Sequence, residues 1–111
     1  MARVTVSRRG EVDILGLAGR LDAGAAPEAE KALRGLLEAG TMRLLIDLRG
    51  LDYISSAGLQ VILLAARSTE AEGGRLALCG AGQYVLEVLQ VVGFTSFLTM
   101  ESDCDKAWER F

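Results

Sequence analysis

The chain contains no histidine. That absence removes the usual general base of Ser/His and Cys/His hydrolases and the commonest metal ligand. Cysteine is limited to Cys79 and Cys104, with no Cys-x-x-Cys pair, so neither a disulfide nor a metal site is expected. Both read as buried thiols used as small hydrophobes, Cys79 in an apolar strand and Cys104 on the apolar side of a short helix. Lysine occurs only as Lys31 and Lys106, both expected to face solvent. No Gly-x-Ser-x-Gly elbow is present, and Gly80-Ala81-Gly82 is too short for a phosphate loop and lacks its lysine. An enzyme is therefore not expected, nor is a cofactor.

Other shortages set further bounds. Aromatics make up 5% of the residues, so the core must be built from Leu, Val, Ile and Ala. The longest unbroken apolar run, Val61 to Ala66, is far too short to span a bilayer. Met1-Ala2-Arg3-Val4 lacks the apolar block of a signal peptide, and a cytoplasmic location is expected. The formal net charge is −3 with no basic run, which argues against a nucleic-acid partner. What remains is a chain of 111 residues, half hydrophobic and 24% charged, read as one soluble globular domain over residues 1–111.

The patterning alternates strand and helix. Val4-Thr5-Val6 and Val12 to Leu17 read as a hairpin closed by Arg8-Arg9-Gly10-Glu11. Pro27 suits the first turn of a helix that runs to about Ala39, with Ala29, Ala32, Leu33, Leu36 and Leu37 on one face. Gly40 sits at its C-cap. Arg43 to Leu48 is a near-continuous apolar strand, as expected for burial on both faces. Arg49 to Ile54 reads as a connection, with Tyr53 and Ile54 tucked inward. A helix from about Ser56 to Glu72 carries Leu59, Ile62, Leu63 and Ala66 as its stripe, and Gly73-Gly74 ends it. Then follow a strand Arg75 to Cys79 and a helix Gln83 to Val92 with Val85, Val88, Leu89 and Val92 on one face. Phe97 to Met100 is the last strand. Ser102-Asp103-Cys104-Asp105 reads as a capping box opening a helix whose Cys104, Ala107, Trp108 and Phe111 cover the core. The order ββαβαβαβα predicts an α/β fold. It is a small, mostly parallel mixed sheet with an N-terminal antiparallel hairpin, covered by about four helices.

Ser55-Ser56-Ala57-Gly58-Leu59-Gln60 stands out because it joins the buried strand Leu44–Leu48 and its connector to a helix start. A helix start offers unpaired N–H groups and the positive end of the macrodipole, and it tolerates negative charge. Ser56 reads either as a plain N-cap, a contribution of about 1 kcal/mol, or as a hydroxyl where a phosphate can sit without disturbing the fold. Asp22 reads as a turn or cap residue before the first helix, or as a docking residue on the same sheet edge as Ser56. Asp47 is expected to end its strand in local hydrogen bonds.

Several pieces together carry a family resemblance. They are Gly19-Arg20-Leu21-Asp22, Leu45-Ile46-Asp47-Leu48 followed by Leu51-Asp52-Tyr53-Ile54, and Ser55-Ser56-Ala57-Gly58-Leu59. Gly73-Gly74-Arg75-Leu76 and Val91-Val92-Gly93-Phe94 fit as well. On these residues the chain resembles the STAS domain, and within it the single-domain bacterial anti-sigma factor antagonists. The resemblance implies a partner switch. An anti-sigma factor with serine kinase activity phosphorylates the antagonist, the unphosphorylated form binds that kinase and frees a sigma factor or other target, and a phosphatase resets the system. Ser56 matches the phosphorylated position, with Ser55 as the alternative acceptor. Asp22, Ser55, Ser56, Ala57, Gly58 and Leu59 form the implied partner surface, on a monomer or weak dimer. The chain departs from the family pattern at Ser55, which replaces an aspartate, and at Gln60, which replaces a glycine. The alternative reading is a phosphorylation-insensitive scaffold subunit of a stressosome-like or lipid-transport complex.

Overall fold

The computed structural model describes residues 2–111. Its elements are β1 (Ala2–Arg9), β2 (Val12–Leu21), α1 (Ala26–Glu38), β3 (Arg43–Ile54), α2 (Ser56–Ala71), β4 (Arg75–Cys79) and α3 (Gln83–Val91). A 3₁₀ turn (Phe94–Ser96), β5 (Thr99–Glu101) and α4 (Cys104–Glu109) complete it. The five strands lie in sequence order, β1 antiparallel to β2 and all the others parallel, as expected from helices spaced between strands.

Alternation along β3 sends Leu44, Ile46 and Leu48 to one face and Leu45 to the other, all buried. The first face packs against α1, α2 and α3 through Ala29, Leu33, Val61, Ile62, Ala65, Val85 and Leu89. The second is a smaller patch of Val12, Leu45, Ala77 and Cys79 closed by Ala107, with Trp108 and Phe111 packed on it.

Four local expectations need correction. β2 and β3 run on to Leu21 and Ile54, so Arg49–Ile54 is strand and not connection. Two register shifts let β3 keep pairing, one between Gly16 and Ala18 and one between Gly19 and Arg20. Gly19 takes φ +79 at the second, a value that side-chain-bearing residues resist. On α2 the buried line is Gly58, Val61, Ile62, Ala65 and Thr69, rotated from the expected stripe; the helix is apolar on most sides, so period alone did not select the face. Beyond α3, Val92 is exposed, and Phe94 turns inward to start a 3₁₀ turn, which delays the last strand to Thr99. The cap of α4 is Asp103, whose carboxylate accepts from the amides of Asp105 (2.8 Å) and Lys106 (3.2 Å), not Ser102.

The cysteines are also corrected. Cys79 and Cys104 are not free thiols but form a disulfide, with Cα atoms 4.9 Å apart. The reason is topological. β5 lies beside β4, so the chain leaving β5 turns back over the end of β4 and brings residues 25 apart into contact.

Candidate functional site

The end of β3 and the start of α2 form a sharp corner. Ser55 is the first residue to leave the ladder and keeps an extended backbone (φ −90°, ψ 174°). Its amide and its hydroxyl both donate to the Leu21 carbonyl, at 2.9 and 3.0 Å. The same hydroxyl oxygen accepts from the Gly58 amide at 3.2 Å. Ser55 is therefore the N-cap, a role the sequence had suggested for Ser56.

Ser56 is the first helical residue and is exposed. The amides of Ser56 and Ala57 have no acceptor one turn back, because the helix has only just begun. α2 is 16 residues long with no acidic side chain in its own first turn to offset the positive end of its dipole. Gly58 is buried. A methyl group there would lie 2.8 Å from Ile54 Cγ1 and 2.9 Å from Leu21 Cγ, so glycine lets the helix seat on the strand ends. Leu59 is half-buried against the main core, and Ala57 is half-exposed beside Ser56.

Asp22 lies one residue beyond Leu21, on the strand that holds Ser55. Its carboxylate accepts from the Ala25 amide at 3.0 Å, and its carbonyl takes the Ala26 amide at 2.9 Å. It thus folds the turn into α1 and leaves the side chain partly open beside the corner. A groove of about 780 Å³ runs between α1 and the first turn of α2, lined by Pro27, Ala57 and Gln60 and by the charged side chains of Glu30, Lys31 and Arg34.

Tyr53, expected to tuck inward, is only half-buried and lies between Arg20 and Tyr84, neither of which was expected at the site. The Arg20 guanidinium sits 4.2 Å over the Tyr53 ring, and Tyr53 stacks on Tyr84 with centroids 6.4 Å apart. The signal available was that Arg20 and Tyr53 immediately precede the two residues that make the corner, Leu21 and Ile54.

Asp47 lies further down β3, inside the strand and not at its end. Arg49 donates to it from its backbone amide (3.0 Å) and from the Nε and Nη2 atoms along one edge of its guanidinium (2.6 to 3.2 Å). Burial pushes the Asp47 carboxyl up, but the hydrogen bonds and charge of Arg49 outweigh that and hold it below its ordinary value. Cys79 and Cys104 flank this carboxylate, yet their sulfurs are bonded to each other and are not available to a metal.

The family model for the STAS domain matches residues 3–107. The chain belongs to the STAS family. Among STAS relatives, it is 36% identical over 95 residues to BtrV of Bordetella bronchiseptica, provisionally assigned as an anti-sigma factor antagonist; the match covers 86% of this chain and 82% of that one. The fold matches an anti-sigma factor antagonist from Mycobacterium paratuberculosis with a TM-score of 0.91 at 19% identity, over 99% of this chain and 93% of the other. It also matches the Bacillus cell fate determinant SpoIIAA in its phosphorylated form, with a TM-score of 0.78 at 21% identity, over 97% and 98% of the two chains. The five-stranded STAS sheet and its four helices are thus those of anti-sigma factor antagonists. No helix among the described residues is long and apolar enough to cross a membrane.

Proposed function

We propose that this STAS domain is an anti-sigma factor antagonist switched by phosphorylation of Ser56. Unphosphorylated, it binds an anti-sigma factor that is also its serine kinase, and so frees a sigma factor or other target. A phosphatase restores the binding form. The activity is recognition, not catalysis.

One observation carries the reading: two neighbouring serines are separated in role. Ser55 is held from both sides as the cap, whereas Ser56 is exposed at the positive end of a long helix. Phosphorylation adds about −1.5 to −2 charges. At a helix N-terminus that charge is favoured, so the fold survives. In a packed interface the same dianion must lose its water, so docking fails. The docking surface is the helix mouth with Asp22, Ser56, Ala57 and the open side of Leu59, extended by the groove beside α1. Ser55 and Gly58 shape it from beneath. The reading is supported by BtrV, a relative whose name assigns it anti-sigma factor antagonism, and by SpoIIAA, a protein of the same fold known in a phosphorylated form.

The test is to incubate the protein with its cognate kinase and ATP and locate the modified residue by mass spectrometry. Modification of Ser56, lost in Ser56→Ala and retained in Ser55→Ala, supports the proposal. Phosphate on Ser55 alone sinks it, as does a Ser56→Asp protein that binds the kinase as tightly as the unmodified chain.

A further inference from the structure

We propose that the Cys79–Cys104 bond is a redox latch: a dithiol reductant opens it in the folded protein and loosens α4 from the second face of the sheet. Cys79 is the last residue of β4 and fully buried, whereas Cys104 is the first residue of α4 and only half-buried. Cys104 is thus the more accessible residue of the pair, and exchange starts there because reactivity follows access.

The non-covalent ties of α4 are few: Trp108 and Phe111 pack on the second face, and the Arg9 guanidinium lies 3.9 Å over the Trp108 ring. α4 has six residues, too few to persist as a helix without tertiary support. Ala107 is its one fully buried side chain. The Trp108 indole donates to the Arg9 carbonyl at 2.9 Å. The Arg9–Asp105 pair joins side chains that are 48% and 79% exposed, and Arg110 pairs with Glu101 at the surface. Exposed pairs of this kind contribute little. Beyond the main chain through Ser102 and Asp103, the disulfide is the covalent cross-link between α4 and the sheet, and α4 is what covers Val12, Leu45 and Ala77.

The exchange balances. A reductant thiolate attacks Cys104 Sγ, the protein S–S bond breaks, and Cys79 departs as a thiolate that takes up a proton. The reductant's second thiol then displaces Cys104, which leaves as a thiol, and the reductant keeps the new disulfide. Two electrons pass from the dithiol to the protein. Asp47 Oδ1 lies 3.6 Å from Cys104 Sγ. While the sulfur is bonded it has no proton to give; once reduced, it can donate S–H to that carboxylate. Reclosing the bond is a two-electron oxidation, so the open form stays open until an oxidant such as a second disulfide accepts those electrons.

The full chain is compared after treatment with oxidised glutathione and after dithiothreitol without denaturant, following thiol labelling and amide hydrogen exchange. Two thiols should become alkylatable on reduction. The amides of residues 104–109 should exchange roughly tenfold faster or more, while those of β2 and β3 keep their protection, and oxidised glutathione should restore the slow rates. Cys104→Ser should exchange like the reduced chain under both conditions. Three results each overturn the proposal: no bond formed under oxidation, a bond that yields only in denaturant, or α4 protection that is the same in both states. The reduced wild-type chain keeps the test decisive where Cys104→Ser fails to fold.

Discussion

The hydroxyl of Ser55 donates to the carbonyl of Leu21 across 3.0 Å, joining residues 34 apart in the chain. This contact ties the end of β2 to the start of α2 and fixes the turn on which Ser56 is displayed. Removing it should cost more than removing its exposed neighbour. Ser55→Ala loses a cap and leaves a partly buried carbonyl with one donor fewer, a loss of about 1–2 kcal/mol. Ser56→Ala should fall within about 0.5 kcal/mol of the parent. Urea unfolding of the two variants checks the order, and equal losses would refute the assignment of the cap.

Gly58→Ala sets two effects against each other. Alanine is the better helix former by about 1 kcal/mol. The added methyl, however, would meet Ile54 Cγ1 at 2.8 Å and Leu21 Cγ at 2.9 Å, and both side chains are buried. Overpacking of that kind costs about 1–3 kcal/mol, so the net effect should be destabilising. Phosphorylation of Ser56 should slow as well, since the shifted turn carries it. A stabilised Gly58→Ala protein in urea unfolding would show that the corner yields.

The parts legible in the sequence were those set by local chemistry. Pro27, Gly40 and the alternation of Val12–Leu17 placed α1 and β2, and the Ser55–Leu59 motif located the corner. The parts that escaped depend on partners far along the chain. Beyond Leu48 the strand is interrupted by Arg49, Gly50 and Asp52, and it stays strand because β2 continues beside it to Leu21. The choice of Ser55 as the cap depends on the Leu21 carbonyl. The Cys79–Cys104 bond depends on α4 folding back over β4, which no spacing rule between two cysteines can reveal.

Asp47 should give the fold an acid-sensitive component. Its carboxyl is held below the ordinary value by Arg49, so the folded state favours the ionised form. That stabilisation is complete above the ordinary carboxylate value and disappears as pH falls through the lowered one. Asp47→Asn should therefore unfold at lower urea than the parent at neutral pH, and the gap should close in strong acid. A gap that persists in acid would mean that Asp47 acts through packing and not through charge.

The chain should be a monomer of 11.8 kDa by light scattering. The exposed edge of the sheet is β1, which carries Arg3, Arg8 and Arg9. Antiparallel pairing of two β1 strands about their centre sets Arg3 of one copy against Arg8 of the other, and like charges directly opposed are unfavourable. The opposite edge, β5, is three residues long and offers too short a ladder for a stable contact. A switch that exchanges partners at the mouth of α2 works as a single copy, whereas a scaffold subunit must assemble. A stably large species in the absence of any partner would therefore favour the scaffold reading over the phosphorylation switch, and would place the contact somewhere other than these two edges.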